Sequence, residues 1–278
     1  MKTVRTVADL RGALRGREDI GLVPTMGYLH EGHLSLIRRA REDCATVVVS
    51  LFVNPKQFGE GEDLDAYPRD EQRDAQLAEE CGADILFAPG HDKVYPEGFS
   101  TTVEIEGVTD VLCGASRPGH FAGVTTVVTK LFNMVGPDVA YFGQKDAQQA
   151  LVIRKLVRDL DMPVRIEVCP TVREPDGLAL SSRNGYLSPE ERKSALGLNR
   201  ALRAAEETVA AGRVAADDVL AAAREQLQQA GVEPEYLELR SAKDLAPVER
   251  VNGSTLLAVA AQVGRARLID NTILTGDQ

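Results

Sequence analysis

His30 and His33 stand three apart in the run Pro24-Thr25-Met26-Gly27-Tyr28-Leu29-His30-Glu31-Gly32-His33, and they are two of four histidines in a chain of 278 residues. At the start of a helix this spacing puts both imidazoles on one side of the first turn. The unpaired N–H groups and the positive dipole end of that turn already favour an anion. Gly27 and Gly32 let the backbone approach a ligand closely. Together these parts make an anion site with two imidazoles, suited to a polyphosphate. The spacing is not that of the zinc motif His-Glu-x-x-His, because the second histidine comes one residue early. A pair that merely caps a helix is the competing reading.

Other segments could carry chemistry of the same kind. In Gly143-Gln144-Lys145-Asp146-Ala147-Gln148-Gln149, Lys145 is a compact cation able to meet a phosphate. Asp146 could cap the following helix, or hold a ribose hydroxyl or hydrated Mg2+, and Gln149 lies one turn on. In Leu180-Ser181-Ser182-Arg183-Asn184, two hydroxyls beside a guanidinium suit a phosphate or a leaving pyrophosphate. The plain alternatives are a solvated helix start and a serine-rich turn. Val53-Asn54-Pro55-Lys56-Gln57-Phe58 sets Asn54 and Gln57 at a strand tip, and Arg117-Pro118-Gly119-His120 adds two cation-capable groups. The chain has no GxxxxGK[ST], GxGxxG or GxSxG pattern, so a nucleotide would be bound by another device and no nucleophile elbow is present.

These segments fall where predicted strands end and helices begin. Apolar runs read as strands over 21–26, 45–53, 83–89, 137–143 and 163–170. Periodic stretches read as helices over 33–44, 69–81, 121–136 and 146–160. Such alternation implies a parallel sheet covered on both faces, whose ligands bind outside the carboxyl ends of the strands. Past residue 172 the pattern changes to two helices, 189–211 and 215–230, then strands over 235–241, 255–263 and 266–274. The expectation is an α/β chain: a Rossmann-like domain over 1–171 and a smaller α+β lid domain over 172–278. The turn-rich stretch 173–185 reads as a linker or functional loop that could close over a site.

Composition narrows the partners. Lys and Arg number 32 against 42 Asp and Glu, a formal charge of −10. A general nucleic-acid binder needs a basic surface, so an anionic substrate must meet a local positive pocket instead. The acidic excess is concentrated in 60–80 and in the C-terminal helices. No apolar run reaches the ~18 residues of a membrane helix, and the first residues lack a signal-peptide core. Four scattered cysteines without a CxxC pair read as free thiols in a reducing cytoplasm.

The run PTMGYLHEGH resembles the HIGH element of adenylyl-transferring enzymes in the form found in the pantothenate synthetase (pantoate–β-alanine ligase) family. VNPKQF, RPGHFAGV, FGQKDAQQ and LSSRNGYL follow in that family's order and spacing. The resemblance covers about 20–190 through motifs, and the later half fits in size and in its LIDNTIL strand. It implies a two-step ligation: pantoate attacks the α-phosphorus of ATP, then the amine of β-alanine displaces AMP. This needs positioning, charge neutralisation and water exclusion rather than an enzyme nucleophile.

By the same resemblance, His30 and His33 stabilise the phosphates, with His33 as proton donor. Pro24, Thr25, Met26 and Gly27 hold ATP through backbone. Gly143 meets its ribose and adenine edge, Val172 meets adenine through backbone, Gln144 is a further ATP contact, and Lys145 and Asp146 meet its phosphates and Mg2+. Leu180, Ser181, Ser182 and Arg183 resemble the KMSKS-like loop that holds the triphosphate. Gln57 and Gln149 grip pantoate, with Asn54, Arg117 and His120 as further contacts to pantoate or β-alanine. The metal is implied to arrive with ATP rather than in a side-chain cluster, and the protein to be a homodimer without nucleic-acid or membrane partners. Tyr28 and Leu180 depart from the family's usual residues, a small or polar side chain and Met, respectively.

Overall fold

The computed structural model describes residues 1–59, 61, 62 and 64–276; Glu60 and Asp63, in the acidic stretch, lie outside the described residues. By its contacts the chain divides into two units, Met1–Gln144 with Gln148–Pro170, and Lys145–Ala147 with Thr171–Gln278.

In the first unit, β1 (Lys2–Val4), α1 (Val7–Leu14), β2 (Ile20–Thr25), α2 (Glu31–Asp43) and β3 (Thr46–Leu51) are followed by α3 (Glu71–Glu80) and β4 (Ile85–Phe87). Two short helices, α4 (His91–Val94) and α5 (Cys113–Ser116), precede α6 (His120–Val135), β5 (Val139–Gly143), α7 (Ala147–Asp159) and β6 (Arg165–Cys169). The strands form one sheet in the order β1-β4-β3-β2-β5-β6, and every pairing is parallel. β2 and β3 are nearly continuous apolar runs because both faces are covered. Leu22, Val23, Val47, Val48 and Val49 have no exposed surface. The α/β architecture read from the sequence is the one observed.

Successive strands run outward from β2 through β3 to β4, and the chain then crosses to β5 on the other side of β2. The order therefore reverses between β2 and β5, and an open parallel sheet forms its ligand crevice at such a point. The carboxyl end of β2 leads into Met26–His33, and that of β5 into Gln144. β1 and α1 were not anticipated. β1 has three residues, too few to show a period of two, and it joins the sheet only through β4, with Lys2 opposite Ile85. The helix expected from residue 33 begins at Glu31, because His30 caps it.

The second unit holds α8 (Pro189–Ala210), α9 (Ala216–Gln229), β7 (Pro234–Ser241), β8 (Gly253–Val263) and β9 (Ala266–Gly276). The strands make an antiparallel sheet in the order β7-β8-β9. Leu198, Ala201, Leu202 and Ala205 of α8 share a core with Val219, Ala223 and Leu227 of α9 and Leu257, Val259 and Ala261 of β8. Small residues let the helices approach closely: a Cβ on Gly197 would lie 2.5 Å from that of Ala230.

Candidate active site

After β2 the chain turns through Gly27 (φ 91°) and Tyr28 (φ 52°). Left-handed backbone is uncommon for an aromatic residue, so something must hold it. Asp74 of α3 does so. Its carboxylate, on a residue 1% exposed, accepts the N–H groups of Tyr28 and Leu29, each at 2.7 Å. Burial pushes the Asp74 carboxyl above its ordinary value, against the opposing pull of those two hydrogen bonds. Arg73 donates to the Leu29 carbonyl at 3.0 Å, and its guanidinium lies 5.4 Å from the Tyr28 ring centre. A Cβ on Gly27 would meet Leu51 Cδ1 at 2.9 Å and Asp74 Oδ2 at 3.1 Å. In sequence Asp74 is one charge among many in its helix. The available signal was its place four residues before Ala78, the other buried position of that helix.

The held loop delivers the histidines. His30 Nδ1 accepts from Gly32 N at 3.2 Å, and His33 Nδ1 accepts from His30 N at 3.3 Å. The two rings cap α2 reciprocally, with centroids 4.1 Å apart. A Cβ on Gly32 would fall 2.9 Å from the His30 ring, so glycine admits the ring there. Because Nδ1 accepts a backbone proton in each ring, the neutral imidazole carries its own proton on Nε2. Each ring is therefore divided in role: Nδ1 serves the helix, and Nε2 carries the proton.

A second cluster forms around Gln57, in the short 3-10 turn Pro55–Gln57 after β3. Asn54, 1% exposed, donates through Nδ2 to Gln57 Oε1 at 2.9 Å and to the Gly123 carbonyl at 3.1 Å. Its Oδ1 accepts from the Tyr95 hydroxyl at 2.9 Å and from Lys56 N at 3.3 Å. Two donors and two acceptor positions are thereby filled, so Asn54 orients Gln57. Arg117 grips Glu62 through Nε and Nη2 at 2.7 and 2.6 Å and donates from Nη2 to the Gln57 carbonyl at 3.1 Å. His120 Nδ1 donates to that carbonyl at 2.8 Å. Its Nε2 then accepts from Arg117 Nη1 at 3.1 Å. The hydrogen bond from Arg117 holds the Glu62 carboxyl below its ordinary value. Gly123 of α6 lets the turn dock, since a Cβ there would fall 2.0 Å from the Lys56 carbonyl oxygen.

Four sequence-derived candidates thus converge, with three of them presenting the fourth. On α7, Gln148 is structural. Its Oε1 accepts from Cys113 N, and its Nε2 donates to the Val108 and Val111 carbonyls. Its neighbour Gln149 is half-buried. Pro24, Thr25, Met26, Gly27, Gly143 and Gln144 also belong to this unit.

Lys145, Asp146, Val172, Leu180, Ser181, Ser182 and Arg183 belong to the second unit. Asn271 of β9 donates to the Lys145 carbonyl at 2.9 Å. Its neighbour Asp270, 3% exposed, takes both arms of Arg173 at 2.6 and 2.9 Å. The stretch expected as a linker or loop is folded: Arg173 bridges Ala179, and Leu180 N donates to the Val172 carbonyl at 3.0 Å. Ser181 caps the 3-10 turn Ser182–Tyr186 by accepting from Arg183 N at 3.2 Å. Asn184 ties that turn to Glu174 and to the Ala179 carbonyl. The Glu174 carboxyl is held below its ordinary value by its hydrogen bond from Arg192. Among the described residues no three His, Cys, Asp or Glu are grouped to hold a metal ion, and no helix is long and apolar enough to cross a membrane.

Comparison with known proteins meets this geometry. The family described as pantoate-beta-alanine ligase matches residues 1–273. Pantothenate synthetase of Moorella thermoacetica is 54% identical, with 99% of this chain and 98% of that one covered. That of Acetivibrio thermocellus is 52% identical, with 99% of each covered. The crystal structure of pantothenate synthetase from Thermus thermophilus superposes with a TM-score of 0.96 at 52% identity, over 99% of this chain and all of that one. The pantoate-beta-alanine ligase of Francisella tularensis, complexed with beta-gamma ATP and beta-alanine, gives 0.81 at 34% identity, covering 98% of this chain and 97% of that one. With a family match that runs nearly end to end and the paired histidines seated where the sheet order reverses, the chain belongs to the pantoate–β-alanine ligase family.

Proposed function

We propose that the protein condenses pantoate with β-alanine at the expense of ATP, giving pantothenate, AMP and pyrophosphate through a pantoyl adenylate. The observation that carries this reading is the reciprocal cap of His30 and His33, which commits both Nδ1 atoms to backbone and both Nε2–H groups to donation.

In the first step a pantoate carboxylate oxygen bonds to the α-phosphorus, and the bond from that phosphorus to the bridging oxygen of pyrophosphate breaks. Negative charge grows on the leaving oxygens. His30 and His33 Nε2–H, Lys145, Ser181, Ser182 and Arg183 are assigned to that charge, with His33 as proton donor. Preorganised donors aimed at developing charge are typically the largest contribution to such a barrier. Pro24, Thr25, Met26 and Gly27 hold the nucleotide through backbone, with Gly143, Gln144, Val172 and Leu180 completing its contacts. Gln57 and Gln149 hold pantoate. In the second step the β-alanine amine attacks the acyl carbon, AMP leaves, and the nitrogen loses a proton.

Mg2+ bound to ATP would neutralise phosphate charge. Asp146, in the 3-10 turn Gln144–Asp146, would supply a carboxylate to its hydration shell. We assign nucleotide and pantoate binding to 1–171 and a water-excluding lid to 172–278. The enzyme is read as a cytoplasmic homodimer with no nucleic-acid or membrane partner. The resemblance supports the dimer, and the scattered free cysteines support the compartment.

The test is exchange of labelled pyrophosphate into ATP. Exchange should require pantoate and proceed without β-alanine, and an amide should form when β-alanine is added. A product that keeps the nucleotide would instead mark a nucleotidyltransferase.

A further inference from the structure

Asn54 is itself held from behind. Tyr95, just after α4, is 6% exposed, and its hydroxyl gives Asn54 Oδ1 the shorter of its two hydrogen bonds, 2.9 Å against 3.3 Å from Lys56 N. Its ring lies 6.1 Å from that of Phe52 and 5.1 Å from that of Phe99. The ammonium groups of Lys56 and Lys130 stand 5.3 and 6.0 Å from its centre. Burial pushes the Tyr95 hydroxyl up to about 12, so it remains a donor through the neutral range.

The bonds run in one direction: Tyr95 O–H to Asn54 Oδ1, then Asn54 Nδ2–H to Gln57 Oε1. With Oε1 turned to Asn54, the Gln57 amide is fixed in one of its two flips, and Nε2–H2, a pure donor, is its opposite side. Such a group recognises a carboxylate or hydroxyl oxygen and rejects a ligand that presents N–H. Resting on the reading that Gln57 binds pantoate, we propose that Tyr95 is a positioning residue for substrate selection, which acts through Asn54 to keep the donor side of Gln57 toward the hydroxy-carboxylate.

The experiment is a double-mutant cycle of Tyr95→Phe and Gln57→Ala, read as kcat/KM for pantoate in pyrophosphate exchange, with KM for ATP and thermal midpoints measured alongside. Tyr95→Phe keeps the ring and deletes one hydrogen bond. It should lower kcat/KM for pantoate roughly 3–10-fold and leave KM for ATP unchanged. In the Gln57→Ala background it should have no further effect, because the group it positions is gone. An equal loss in both backgrounds, or no loss in either, would overturn the role of Tyr95. If Gln57→Ala alone leaves KM for pantoate unchanged, the assignment of Gln57 fails and the proposal fails with it. Should Tyr95→Phe melt below the assay temperature, Asn54→Asp puts an acceptor opposite Gln57 Oε1. The same pantoate-selective loss is expected, and parent-like pantoate kinetics there would overturn the relay.

Discussion

His30 and His33 on one side, and His120 on the other, use the same imidazole in opposite ways. In the first pair Nδ1 accepts from backbone, so the ring's proton sits on Nε2. In His120 Nδ1 donates to the Gln57 carbonyl, and Nε2 accepts from Arg117. The first arrangement leaves each ring's proton on Nε2, and the proposed mechanism uses those protons as donors. The second spends both nitrogens on protein and turns the ring into a brace. On the proposed reading, what separates a reacting histidine from a supporting one is which nitrogen the surrounding structure has already claimed. The difference is set by neighbours: a helix start in one case, a carbonyl and a guanidinium in the other.

The largest effect should come from removing a donor of the first kind. His33→Ala should reduce pyrophosphate exchange by about 10²–10³-fold while the protein keeps its circular dichroism spectrum. His120→Ala should act mainly on KM for pantoate, because it loosens Gln57 and touches no phosphate. Near-parent turnover in His33→Ala, or a His120→Ala variant equally dead at saturating pantoate, would erase the distinction.

An intermediate effect is expected where the histidine loop is anchored. Asp74→Asn keeps size but replaces one of two acceptor oxygens with an N–H2 group that faces a backbone N–H. A buried group left unsatisfied costs about 1–3 kcal/mol. The thermal midpoint should fall by several degrees, and exchange should drop about 10-fold as the loop loses its fixed pose. Unchanged exchange in a destabilised variant would show that the loop is held without Asp74. That would bring the two histidine regions closer in kind, since each would then owe its geometry to its own backbone.

Much of this was legible in the residues and some was not. HEGH after an apolar strand reports a strand–turn–helix junction, because short-range spacing fixes both the cap and the ring pair. Parallel alternation likewise placed Asn54, Gln57 and Gly143 at strand tips. The tautomers were hidden, since they depend on tertiary partners. Asp74 looked like one charge among many until its two backbone donors, more than forty residues earlier in the chain, were in place. Asn271 and the Lys145 carbonyl are 126 residues apart, and no local pattern records such a pair. Asn54, Arg117 and His120 were found as polar groups near a strand tip or helix start. Only their separate bonds to Gln57, from Asn54 to its side chain and from Arg117 and His120 to its carbonyl, show them as the frame around it.

The smallest effect tests the outer edge of that frame. Glu62 takes two of the bonds that Arg117 makes, with the two side chains 27% and 19% exposed. Its folded-state pKa is depressed, chiefly by the hydrogen bond from Arg117. The stabilisation it supplies is therefore fully present above its unfolded pKa, about 4.3, and is lost as pH falls through the lower folded value. Glu62→Gln removes the titrating group. Its thermal midpoint should lie slightly below the parent's at pH 7, and the gap should close as pH drops below about 4, because protonation then does to the parent what the substitution did. At neutral pH KM for pantoate should rise no more than about 3-fold, in keeping with the modest worth of a partly exposed pair. Arg117 keeps its bonds to the Gln57 carbonyl and to His120 in this variant. A gap that widens in acid would mean that Glu62 stabilises the fold by something other than its charge. A large loss of pantoate affinity at pH 7 would mean that the brace depends on its outermost ion pair, and that His120 alone does not hold the carbonyl.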